Sequence, residues 1–258
     1  MRLRTSYAAF ESAAEPPLWL AGRLDLPVGE TSARKSLAAV LICHGSDGVD
    51  GRGAFHATRL NEAGLATLEI DMWAARGTVR GAAARPASPL LTLPDAFGAL
   101  AFLAAQPEID PGRVGVMGFS WGGAVSLLAA RARPGAGLAF AAHAALYPVC
   151  WAYQRIAAMA LENLTPAPIL ILTGVEDAYD RAGAGPALAE KLIAAGHSRV
   201  RAVEYARAGH GFDRDLPPQT ITDPFAHEGA GGEVVMAFEP DAARAAREEV
   251  VGFFLDAL

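Results

Sequence analysis

The chain has 258 residues, of which 52% are hydrophobic and 19% charged. That length fits a single domain of the α/β type, and so much apolar material can cover both faces of a buried sheet, which excludes a disordered chain. A formal net charge of -6 with no Lys or Arg cluster excludes the usual attraction to nucleic acid or to anionic lipid.

In chain order, short β-branched or Leu-rich runs alternate with Ala-rich segments of helical length, the pattern of crossover units feeding a mostly parallel sheet. Strands are expected near 18–26, 37–43, 65–71, 113–118, 138–147, 168–174 and 199–206. Helices are expected near 54–63, 94–106, 121–132, 151–163, 184–195 and 240–257, most with apolar residues at three- and four-residue spacing. Leu18 to Leu26 alternates apolar and polar residues, as an antiparallel edge with one wet face would. Val114 to Met117 and Ile169 to Leu172 are continuously apolar, which suits central strands covered on both sides. Segments 74–93 and 212–238 read as long loops and are expected over the active-site end of the sheet. Arg2 and Arg4 give the N-terminus positive charge, but no apolar stretch of signal-peptide length follows and no window approaches a membrane span. A cytoplasmic protein with no membrane association is therefore expected. Cys43 and Cys150, the two cysteines, sit in apolar runs and are expected to be buried thiols.

Gly118-Phe119-Ser120-Trp121-Gly122-Gly123 follows an apolar strand and opens a helix, the strand-turn-helix setting of a nucleophile elbow. A strained tight turn presses its neighbours against adjacent backbone, and glycine supplies the clearance. A serine hydroxyl at neutral pH needs a base to take its proton and a carboxylate to hold that base in one tautomer. Downstream, Gly174-Val175-Glu176-Asp177 follows one strand and Gly209-His210-Gly211-Phe212 follows the next. Ser120, Asp177 and His210 thus stand in the order such a fold requires. Glu176 and Asp180 are rival carboxylates, and His227 is a rival base. The strand ending in Cys43-His44-Gly45 would bring a second backbone N–H to a developing oxyanion, so the amides of Trp121 and Ser46 are the candidate donors.

These segments, together with Ile70-Asp71-Met72-Trp73, Ile109-Asp110-Pro111-Gly112-Arg113 and Tyr147-Pro148, resemble the dienelactone hydrolase family. The resemblance implies an α/β-hydrolase fold, a mostly parallel central sheet of about eight strands flanked by helices on both faces, with no large cap domain. It also implies a cofactor-free, metal-free hydrolase of small-molecule carboxylic esters or lactones, while the length and the lack of any linker-like composition predict one domain over residues 1–258. Founding members carry Cys in the elbow where this chain has Ser120, which favours general esters over dienelactone. They also hold a substrate carboxylate with arginines; Arg76 and Arg80 lie in a suitable loop without a matching motif. Trp73, Tyr147, Trp151 and Tyr179, with Trp121, are expected to line the pocket. Two other functions remain open at this level, a peptidase or amidase using the same triad and a binding protein that kept the fold without the chemistry.

Overall fold

Continuously apolar runs become strands whose side chains alternate between two cores. In the computed structural model, which describes residues 2–28, 36–78, 84–132 and 137–258, β3 (Leu37–Cys43) sends Leu41 and Cys43 to one face and Val40 and Ile42 to the other. The remaining strands of the main sheet are β1 (Arg2–Glu11), β2 (Trp19–Val28), β4 (Ala66–Asp71), β5 (Ile109–Phe119), β6 (Ala142–Leu146), β7 (Ile169–Gly174) and β8 (Val200–Tyr205). They pair in the order β1-β2-β4-β3-β5-β6-β7-β8. Only β1 and β2 run antiparallel to their neighbours; from β4 to β8 every pairing is parallel.

Helices cover both faces. On one side α1 (Gly51–Glu62) and α7 (Pro240–Ala257) bury Leu60, Val250 and Phe254. On the other, α2 (Leu93–Ala104), α3 (Trp121–Ala129) and α5 (Ala184–Ala194) bury Leu100, Val125 and Leu188. Between β6 and β7 there are only α4 (Ala152–Arg155) and a short 3-10 turn, Ala157–Met159, so the described chain has no cap there. No helix among the described residues is long and apolar enough to cross a membrane.

Three expectations need correction. Residues 18–26 are antiparallel but not the edge, because β1 pairs along the full length of β2. β1 is mostly solvent-exposed and so carries little apolar alternation to announce it. The helix expected over 151–163 is broken where Ile156 turns extended (φ -104°, ψ 104°). The stretch 212–238 is not a plain loop: β9 (Gln219–Asp223) and β10 (Gly232–Met236) form a hairpin around the distorted turn α6 (Ala226–Gly229). Residues 79–83 of the other long loop, Arg80 among them, lie outside the described residues.

Two buried histidines make the fold sensitive to acid. His44, at the end of β3, accepts the Met72 N–H on Nε2 (2.9 Å) and donates from Nδ1 to the Gly45 carbonyl (2.7 Å). His143, in β6, donates from Nδ1 to the Ser126 carbonyl (2.9 Å). Burial holds both rings neutral, lowering each pKa from 6.5 to about 4 against the opposing pull of those carbonyls. The unfolded chain takes up these protons near pH 6.5 and the folded chain only near 4, so the stabilisation is complete above pH 6.5 and is lost as pH falls toward 4. Each ring contributes at most about 3 kcal/mol of this slope. Urea midpoints should therefore fall across that window, and His143→Gln should flatten the dependence. An unchanged slope in that variant would remove His143 from the explanation.

Candidate active site

Strand ends assemble the site. Ser120 sits between β5 and α3 with φ 50° and ψ -106°, a conformation that costs an L-residue about 1–3 kcal/mol. Its N–H donates to the Leu146 carbonyl (2.9 Å), and its own carbonyl accepts from Ala124 N–H, opening α3. Glycines make the turn sterically feasible. A Cβ at Gly118 would lie 2.3 Å from the Gly122 backbone, and one at Gly122 would lie 2.0 Å from the Cys43 carbonyl oxygen. α3 therefore presses directly onto the end of β3, as the clearance argument anticipates.

Asp177 follows β7 and His210 follows β8, and the fold brings both to the elbow. Ser120 Oγ lies 2.8 Å from His210 Nε2, and His210 Nδ1 lies 2.9 Å from Asp177 Oδ2. With the ring in its Nδ1–H tautomer, the hydroxyl donates to Nε2 and the ring donates to the carboxylate. The other Asp177 oxygen accepts the Tyr179 N–H (2.9 Å). Asp177 and His210 are both buried, which strengthens these bonds relative to water.

The rivals are engaged elsewhere. Asp180 accepts the N–H groups of Cys150 (2.6 Å) and Trp151 (2.8 Å), and burial raises its pKa to about 6. Glu176 is exposed, and its amide donates to the Ala208 carbonyl. His227 meets the Glu233 carbonyl on Nε2. Cys43 and Cys150 are free and buried, and burial pushes both thiols far up.

The imidazole of His210 is gripped by two tyrosines. Tyr179 lies across it at 4.2 Å between ring centroids, and Tyr147 meets it edge-on at 4.9 Å. Each phenol is anchored to a buried aspartate. Tyr147 donates to Asp213 (2.5 Å), whose second oxygen meets His56 Nε2 (2.9 Å), and Tyr179 donates to Asp223 (2.8 Å). Arg52, forked onto Asp50, extends the Tyr147 side of this network. Asp213, Asp223 and His56 carry no local sequence signal for this role, since each partner is more than 40 positions away.

A cleft of about 440 Å³, counting its open mouth, starts at Ser120 and is lined mainly by Pro89, Trp121, Ala124, Val149, Met159 and Phe225. Ser46, Tyr179 and Arg85 complete its wall. Ser46 and Trp121, the residues whose amides are the candidate oxyanion donors, both line the cleft beside Ser120. Three of the expected lining aromatics are not there. Tyr147 is wholly buried beneath His210 because its hydroxyl is drawn to Asp213. Trp73 is buried edge-on behind Trp121, with its indole N–H on the Ser46 carbonyl (3.1 Å). Trp151 stacks on Phe225 and lies outside the cleft. Arg76 is likewise structural, forked onto buried Asp95 and donating to the Met72 and Leu91 carbonyls. Arg85, a lone arginine before a proline, is the cation at the cleft that sequence reasoning missed.

Comparison with known proteins identifies the family and the fold. The model of the dienelactone hydrolase family matches residues 30–258. An uncharacterized protein of Mycobacterium tuberculosis is 30% identical over 197 residues, covering 72% of this chain and 67% of that protein. Among solved structures, dienelactone hydrolase from Anabaena variabilis superposes with a TM-score of 0.63 at 22% identity over the full length of both chains. A dienelactone hydrolase-like promiscuous phosphotriesterase from metagenomic libraries gives 0.68 at 20% identity, covering 98% of each chain. Esterase 2 of Thermogutta terrifontis, phosphorylated by paraoxon, gives 0.61 at 17% identity, covering 92% of this chain and 88% of that one. At these identities the structures share the fold. By its family match over most of its length, the chain belongs to the dienelactone hydrolase family, a family of α/β-hydrolases that cleave carboxylic esters.

Proposed function

We propose that this protein hydrolyses small carboxylic esters or lactones with Ser120 as nucleophile, His210 as general base and acid, and Asp177 as the carboxylate that orients the ring. The observation that carries this is the unbroken hydrogen-bond chain from Ser120 Oγ through His210 to Asp177, opening onto an apolar cleft. As Ser120 Oγ attacks the carbonyl carbon, its proton passes to His210 Nε2, and the amides of Trp121 and Ser46 stabilise the oxyanion. The imidazolium, held beside Asp177, then protonates the departing alkoxide, leaving the acyl group on Ser120. A water deprotonated by the same Nε2 attacks the acyl-enzyme, and the acid leaves as Ser120 regains its proton.

A fluorophosphonate probe tests the nucleophile directly. A single adduct on Ser120, located by peptide mass spectrometry and matched by loss of ester turnover, is the expected result. An unlabelled Ser120 in folded, active protein would overturn the assignment. The apolar cleft further favours short-chain alkyl and aryl esters over aminoacyl amides in a substrate panel.

A further inference from the structure

Arg85 is the one cation on the described wall of the cleft, and it is already spoken for. Its guanidinium forks onto Asp223, with Nη1 to Oδ2 at 2.7 Å and Nη2 to Oδ1 at 2.8 Å, and Nη1 also donates to Ser46 Oγ at 3.1 Å. It lies 5.7 Å from the Trp121 ring and 5.3 Å from the Phe225 ring, both of which line the cleft. Asp223 is wholly buried and is saturated by two further donors, the Phe225 N–H and the Tyr179 hydroxyl, each at 2.8 Å. Burial alone would raise its pKa, but Arg85 and these donors outweigh that and hold the carboxylate ionised.

We propose that Asp223 sets the substrate class of this site: by neutralising Arg85 it reserves the cleft for esters and lactones with uncharged, apolar acyl groups and turns away those bearing a carboxylate. This rests on the assignment of Ser120 as nucleophile. A bare guanidinium beside Ser120 would attract an anionic acyl group, because a fork of donors in an apolar wall matches a carboxylate. With Asp223 on that fork, an incoming carboxylate meets a second anion in a poorly solvated space and finds few free donors. An alkyl group meets Pro89, Ala124 and Met159 at no such cost. The pair also ties the segment after residue 84 to the β9–β10 hairpin, so the two long loops meet over the nucleophile through a contact that is itself the selectivity element.

Ethyl butyrate and monoethyl succinate share a leaving group and differ only in a terminal methyl or carboxylate. Ethanol release by proton NMR gives kcat/KM for each, and their ratio cancels any general loss of activity in a variant. The wild type should favour butyrate by about 100-fold or more. Asp223→Asn should lower that ratio by about 10-fold or more, through a fall in KM for the succinate ester. The double variant Arg85→Gln/Asp223→Asn, which buries no unpaired charge, should keep a ratio near wild type. A wild-type ratio near one, an unchanged ratio in folded Asp223→Asn, or a double variant that shifts as far as the single one would each overturn the proposal. If Asp223→Asn does not fold, Asp223→Ser, a smaller uncharged replacement that also leaves Arg85 in place, is read by the same outcomes. Failure of the underlying assignment looks different: turnover that persists after Ser120→Ala, or none of either ester by the wild type, removes the nucleophile and the proposal with it.

Discussion

Ser120→Ala is expected to lower ester kcat by about 10⁴-fold or more while the protein stays folded. In the proposed mechanism the hydroxyl contributes two things, the attacking atom and the proton donated to His210 Nε2, and alanine removes both. The residual rate should come from the cleft and the two amides, which still bind the ester and polarise its carbonyl. Stability separates the side chain's role from the backbone's. Alanine keeps a Cβ at φ 50°, so the strain of the elbow persists and the melting temperature should barely move. Ser120→Gly should be equally inactive yet more stable by about 1 kcal/mol, roughly 2–4 °C in a chain of this size. Paired kcat and melting measurements on the two variants read both effects. An alanine variant within tenfold of wild type would remove Ser120 from the chemistry, and a glycine variant no more stable than alanine would remove the strain.

Gly122→Ala should do the opposite, destroying the fold rather than the chemistry alone. Its Cβ would stand 2.0 Å from the carbonyl oxygen of Cys43, 2.5 Å from the carbon of the same carbonyl and 2.7 Å from the His44 oxygen. All three atoms are backbone at the end of a central strand, so no side chain can swing away. α3 would have to lift off β3, disturbing Val125 in the core as well as the Trp121 amide. A loss of about 4 kcal/mol or more is expected, read as insoluble protein or as a collapsed denaturation midpoint. Gly252→Ala is the matched control. It lies on the exposed face of α7 with nothing within 4 Å of the added methyl, and should gain about 0.5–1 kcal/mol. A soluble, normally stable Gly122→Ala would contradict the close approach of α3 to β3.

The order of strands and helices could be read from the residues because short-range periodicity encodes it. Apolar runs such as Ile169 to Leu172 have one way to be buried on both faces, and the Gly-flanked Ser120 between a strand and a helix has one local geometry. The candidates Ser120, Asp177 and His210 followed from the same logic, since each lies just past the end of a strand of a parallel sheet. β1 escaped notice because an exposed edge needs no apolar alternation, and the β9–β10 hairpin because its glycine-rich turn resembles a loop.

What lines the cleft was decided only by tertiary structure. Aromatic side chains announce burial, not direction: Tyr147 is pulled under His210 by Asp213, Trp73 is held behind Trp121, and Tyr179 alone of the four reaches the wall. Arg85 finds Asp223 across 138 positions, a pairing fixed by closure of two loops over the sheet rather than by any local pattern. The sequence by itself determined the parallel core of the sheet with its helices and the order of the candidate catalytic groups, because each strand, helix and strand-end turn carries its own short local pattern. The tertiary structure determined which charges cancel beside Ser120, because that depends on partners that meet only when the sheet has closed.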